Sequence, residues 1–155
     1  MASLETSSDI LELLAVNEET IGRLYAAYAD RFPEVRALWS SLAAEEKLHA
    51  EWVRTLKQKC QEDSLFFPPD RFKSAAIRIF TDYVANEIST AAKIRLTSIN
   101  ALSTAVDIEE SLIERQFLAA LETDSVELQH LFNNLETATR QHAQKLRDTW
   151  NQQHP

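Results

Sequence analysis

Gly22 is the only glycine among the 155 residues of this chain. Of its four prolines, only Pro33, Pro68 and Pro69 are internal. Tight turns draw on glycine because it adopts positive φ without steric cost. A chain so poor in breakers has few places to reverse direction, and the alternating β-branched runs of strands are absent. Alanine, leucine, glutamate, lysine, glutamine and arginine dominate instead, all good helix formers. The composition predicts an all-α fold, with length enough for one domain and a real core.

Apolar periodicity divides the chain into five helical segments. The first covers about residues 7–30, with Ser7 or Ser8 as N-cap and a stripe of Ile10, Leu14, Ile21, Tyr25 and Tyr28. Phe32-Pro33 ends it, because the residue before proline avoids the α region. The second covers about 33–61, with Pro33 suited to a first turn and a stripe of Val35, Leu38, Leu42, Val53 and Leu56. Trp39 and Trp52 flank that stripe. Turn signals at Asp63, Ser64, Pro68 and Pro69 precede a third helix, capped by Asp70, with Phe72, Ala76, Ile79, Tyr83 and Ile94 as its stripe. A fourth begins near Thr97-Ser98 and carries Ile99, Leu102, Val106, Ile113, Phe117 and Leu121. Thr123-Asp124-Ser125 then caps a fifth helix reaching about Trp150, with Leu128, Leu131, Leu135, Leu146 and Trp150 inward.

Short links join the first helix to the second and the fourth to the fifth, which implies two antiparallel hairpins. The predicted organisation is a single domain over 1–155, with hairpins at 7–62 and 98–152 and a helical crossover at 63–97. This describes a four-helix bundle with one crossover connection.

Polar residues interrupt the apolar stripes. Glu46 falls four residues after Leu42, and His49 four before Val53, so Glu46-x-x-His49 lies on a face that should be buried. A buried carboxylate needs compensation. Glu and His at i, i+3 can converge on one cation. Glu18 interrupts the first stripe seven residues before Tyr25, and Glu110 stands seven before Phe117 in the fourth. Leu38-Trp39-x-x-Leu42 leads to Leu48-His49-Ala50, as Leu131-Phe132-x-x-Leu135 leads to Gln141-His142-Ala143. Glu18 to His49 spans 31 residues and Glu110 to His142 spans 32, so the two hairpins read as an internal repeat. The repeat breaks at Thr139, which stands where Glu46 would recur. Bundles hold metal pairs with one Glu from each of two helices and Glu-x-x-His from each of the other two. Five of those six side chains are present.

Charge and cysteine content narrow the partners. The net charge of −8 and the lack of a basic stripe argue against nucleic acid. No apolar run approaches a membrane span, and the first residues lack the pattern of a secretory signal. Cys60 is the only cysteine, which points to a reducing cytoplasm and excludes a Cys-x-x-Cys iron or zinc site within the chain.

From about Ile10 to Leu146 the chain resembles the rubrerythrin-like branch of the ferritin-like superfamily. The residues that carry the resemblance are Glu18 with Tyr25, Ala44-Glu45-Glu46-x-x-His49-Ala50, Asp107-Ile108-Glu109-Glu110 and His142-Ala143. It implies a ferritin-like bundle with a dinuclear iron site, or manganese or mixed metals, at Glu18, Glu46, His49, Glu110 and His142. Peroxide reduction, ferrous oxidation and oxygen-dependent chemistry are the implied activities, with peroxide or oxygen as oxidant. The rubredoxin-type module of full-length rubrerythrins is missing, so turnover needs an external electron donor. Thr139 opens the alternative of a non-catalytic bundle with one metal or an impaired pair, or a purely structural bundle. Glu87 or Glu114 could substitute for the missing carboxylate, although each also reads as a solvated surface residue. A homodimer fits the fold class, though no outward apolar seam is evident.

Overall fold

The computed structural model describes residues 6–62, 73–93, 95–122 and 125–153, leaving aside the side chains of 117–122. Among the described residues are five α-helices: α1 (Ser7–Arg31), α2 (Arg36–Gln61), α3 (Ser74–Ala91), α4 (Ser98–Glu122) and α5 (Val126–Gln153). No strand occurs among them. The chain divides into two compact units, Met1–Ser89 and Thr90–Pro155.

In the first unit α1 and α2 pack as an antiparallel hairpin. Glu12 meets Lys57, Glu19 meets Arg54 and Tyr25 meets Trp39, so the two helices run in opposite directions. The cap of α1 is Thr6, where Ser7 or Ser8 was expected. Thr6 Oγ1 accepts from Asp9 N at 3.1 Å, and Thr6 N donates to Asp9 Oδ2 at 2.9 Å. That reciprocal pair satisfies two backbone donors of the first turn at once, which neither serine could do as early. Pro33 sits at the start of a short 3₁₀ turn, Pro33–Val35, leading into α2.

The hairpin core is fuller than the expected stripes. Ile10, Ile21, Tyr25, Tyr28, Leu42, Val53 and Leu56 are buried as foreseen, and Leu11, Ala15, Leu24 and Ala50 join them. Leu14, Val35 and Leu38 are half-buried. Trp39 does not flank the core but is fully buried, its ring 5.4 Å from Tyr25 and 4.8 Å from Tyr28. Large aromatic side chains dominate core energetics, and ring pairs add about 0.5–1.5 kcal/mol beyond area burial.

The Asp70 cap and Phe72 of the expected third helix lie outside the described residues, as does Ile94. Within α3 the expected stripe is rotated. Ala76, Ile79 and Tyr83 are exposed, whereas Ile77, Val84 and Ala91 are buried at a seven-residue spacing. Asn17 of α1 donates to Thr81 Oγ1 at 2.9 Å and ties α3 to the hairpin.

The second unit is a second antiparallel hairpin, with Ser98 bonded to Gln153 at one end. Thr97 Oγ1 accepts from Asn100 N at 3.1 Å at the head of α4, and Ser125 Oγ accepts from Leu128 N at the head of α5. The sequence reading placed the start of α4 near Thr97-Ser98 and a cap for α5 within Thr123-Asp124-Ser125, and both agree with these positions. The buried face of α4 does not: it comprises Ala101, Leu102, Ala105, Ile108, Glu109, Leu112 and Gln116. Ile99, Val106 and Ile113 are half-buried at its edge, and the side chains of Phe117 and Leu121 lie outside the described residues. On α5, Leu128, Leu131, Leu135 and Leu146 are buried and Trp150 is half-buried. No described helix is long and apolar enough to cross a membrane.

Candidate metal centre

Glu46 and His49 lie one turn apart on the inner face of α2 and are 0% and 2% exposed. His49 Nδ1 stands 3.3 Å from Glu46 Oε2. Glu18 of α1 joins them at 5% exposed, and one ligand atom from each of the three lies within 4.8 Å of the others. The sequence-predicted residues Glu18, Glu46 and His49 are thus brought together within one hairpin.

Gly22 explains how α1 comes so close. It is one turn beyond Glu18, and a Cβ there would stand 3.3 Å from Glu46 Cβ and 3.4 Å from the Ala43 carbonyl oxygen. The chain's single glycine therefore lies where α1 passes over the backbone of α2 beside Glu46. On the other side of Glu18, Asn17 is fixed by its bond to Thr81. Further along the hairpin, Arg54 pairs with Glu12 and Glu19, and Lys57 with Glu12 at 2.9 Å. These cations are held by half-exposed acids, and the Arg54 and Lys57 bonds keep the Glu12 carboxyl below its usual range.

In the second unit His142 of α5 is 1% exposed, with Nδ1 3.5 Å from Glu109 Oε1 on α4. Glu109 is fully buried. Glu110, the acid expected to point inward, has a half-exposed side chain and pairs with Arg147. Successive helical residues point about 100° apart, so only one of two adjacent acids can face the core. The large Val106 and Ile113 suggested one phase for α4; the alanines at 101 and 105 with Ile108 and Leu112 define the real one. A 3-4-3-4 series that counts alanine as apolar would have found Glu109. Arg147 also lines an open cleft of about 270 Å³ with Ser103, Val106, Asp107, Trp150 and Asn151, which places Glu110 on the solvent side.

The repeat survives in corrected form. Leu14, Glu18, Ile21 and Tyr25 correspond to Ala105, Glu109, Leu112 and Gln116, and the acid-to-histidine spans become 31 and 33 residues. Thr139, at the position matching Glu46, is 1% exposed, so a buried hydroxyl replaces a buried carboxylate. Glu136 is turned to Arg140 at 2.8 Å, Glu114 is exposed and Glu87 is half-buried on α3.

The donor chemistry suits a metal. Two carboxylates and an imidazole converge in the first hairpin, a carboxylate and an imidazole in the second. Burying carboxylates is costly unless a counter-charge is present, and a divalent cation supplies one. Oxygen and imidazole donors without thiolate match iron or manganese better than a structural zinc cluster.

Comparison with curated proteins and with solved structures gave no match. The family model described as Rubrerythrin matches residues 9–150, nearly the full chain. With buried Glu/His groups on both hairpins and helices throughout, the chain belongs to the Rubrerythrin family and has the all-α fold of a ferritin-like domain.

Proposed function

We propose that the chain is a non-haem diiron oxidoreductase of rubrerythrin type that reduces peroxide or couples oxygen to ferrous oxidation. The observation that carries this is the buried Glu18–Glu46–His49 cluster, matched in the second hairpin by Glu109 and His142. Glu18, Glu46 and His49 would hold one iron, and Glu109 and His142 the other. When bound, an iron pair supplies one electron per metal, enough to cleave an O–O bond reductively.

The residues of the chain itself bind, orient and keep dry. Glu46 and His49 share one rigid helix one turn apart, with His49 Nδ1 3.3 Å from Glu46 Oε2, so their donor atoms are held close together on one face. Gly22 lets Glu18 approach from α1. Tyr25, two turns beyond Glu18 on α1, packs against Trp39, which also meets Tyr28. All three are fully buried, so their part is packing rather than exchange of protons with solvent. Cys60 is only half-buried, and its thiol is pushed up by burial, so it is a poor nucleophile. Reducing equivalents would come from an external electron donor.

Anaerobic loading with ferrous ion followed by one equivalent of peroxide tests this. A ferric absorption band in the near ultraviolet, formed as peroxide disappears, is expected. Neither band nor peroxide consumption would refute it.

Thr139 favours a second reading, a bundle in which only the first hairpin holds metal. That reading expects a metal content unaffected by Glu109→Gln and His142→Ala, and no peroxide consumption.

A further inference from the structure

Gln116 is 5% exposed on the inner face of α4, and neither its Nε2 nor its Oε1 has a hydrogen-bond partner among the described residues. Other buried neutral side chains are bonded: Asn17 donates to Thr81 Oγ1, and Thr20 donates to the Val16 carbonyl. An amide buried without a partner is destabilising, and folded chains seldom keep one that has no role.

The place of Gln116 along α4 points to its role. It stands two turns beyond Glu109 on the same buried face. Side chains on a helix lean towards its N-terminus, so the amide leans back towards the level of Glu109. The matching position in the first hairpin is Tyr25, whose ring packs on Trp39. One hairpin fills this level with an aromatic pair, and the other sets a donor and an acceptor there. Thr139, one turn before His142 on α5, adds a buried hydroxyl to the interior of the second hairpin. These groups are uncharged. They suit a small neutral molecule that both gives and takes hydrogen bonds, and they offer little to one that does neither.

We propose that Gln116 is a specificity-determining residue, whose amide hydrogen-bonds hydrogen peroxide as it arrives at the metal held by Glu109 and His142 and so selects peroxide over dioxygen. This deepens the diiron reading above and rests on it. Peroxide has O–H groups to donate to Oε1 and oxygens to accept from Nε2. Dioxygen has no proton to give and is a poor acceptor, so its arrival leaves the amide unpaired. A site built to bond an O–H discriminates strongly against an analogue that lacks one, because its own buried polar groups then go without partners. The amide takes up no electron and no proton, and no bond is made or broken at Gln116.

The test uses the full chain loaded anaerobically with ferrous ion, with iron counted before any oxidant is added and rates expressed per iron bound. Growth of the ferric band is followed with hydrogen peroxide and, separately, with dioxygen. Gln116→Met keeps the length of the side chain and removes both polar atoms. It should lower the second-order rate with peroxide about tenfold and leave the dioxygen rate unchanged or higher. Stability gives an independent readout: metal-free Gln116→Met and Gln116→Leu should melt no lower than wild type, since each loses an unpaired amide and no bond. An unchanged peroxide rate would overturn the proposal. So would equal losses with the two oxidants, which a merely structural role for Gln116 would give, or a lower melting temperature in both metal-free variants. A wild-type chain that takes up no iron, or takes it up and consumes no peroxide, defeats the diiron reading and the proposal together. The iron count and the wild-type peroxide trace identify that case before any variant is compared.

Discussion

Replacing Gly22 with alanine would add a methyl 3.3 Å from Glu46 Cβ, tighter than ordinary packing. The same change favours the helix, since glycine inside a helix costs about 1 kcal/mol relative to alanine. The two effects oppose each other in the metal-free chain, so its thermal stability should change little. They do not cancel at the site, where Glu46 must shift by a few tenths of an ångström. Metal affinity of Gly22→Ala should fall about tenfold, equivalent to roughly 1.4 kcal/mol, measured by anaerobic titration. A variant with wild-type affinity would show that helix spacing at Gly22 does not set the site. Glu46→Gln provides a second residue-scale check. It keeps the shape and removes a fully buried charge, so the metal-free chain should melt at the same temperature or higher while metal uptake is lost. Lower stability without metal, with uptake preserved, would contradict a ligand role for Glu46.

Helix ends and helix phases are properties of elements, and they were unequally legible. The start of α4 near Thr97 and the cap of α5 at 123–125 could be read because each stands directly before a periodic run. Thr6 was missed because two serines follow it, and only the reciprocal bonds with Asp9 choose among them. Thr6→Ala should cost about 1 kcal/mol, seen as a shift in denaturant midpoint without a change in slope. The phase of α4 was misread because bulky residues were weighted above alanine. Ile108 is 1% exposed whereas Val106 is only half-buried. Ile108→Ala should therefore cost about 2–5 kcal/mol and Val106→Ala clearly less; equal losses would refute the burial of α4 as described. The α1–α2 ion pairs add a pH term. The hydrogen bonds from Arg54 and Lys57 lower the folded pKa of Glu12 below 4.5. Their contribution is complete above pH 4.5 and is lost as pH falls through the lowered folded value. The Glu12 side chain is 37% exposed, so screening limits the effect to under about 1 kcal/mol. Glu12→Gln should flatten that part of the acid limb of the stability curve, and added salt should do the same to the wild type.

For the whole molecule, scarcity of glycine and proline foretold helices, and apolar periodicity foretold the order of the five among the described residues. Glu18, Glu46 and His49 were legible because each interrupts a stripe at a helical interval. The rotated face of α3 was not, since Ala76, Ile79 and Tyr83 make an equally periodic set and only packing selects Ile77, Val84 and Ala91. Glu109 was hidden for a related reason: two adjacent acids are indistinguishable until the helix phase is known. That single step of register decides which residues complete the second half of the repeat. The most direct test is the iron content per chain after anaerobic loading, for wild type, Glu109→Gln and Glu110→Gln side by side. Two irons are expected in the wild type and in Glu110→Gln, and about one in Glu109→Gln. One iron or none in the wild type, or a loss in Glu110→Gln that Glu109→Gln does not share, would contradict a diiron centre built from Glu18, Glu46, His49, Glu109 and His142.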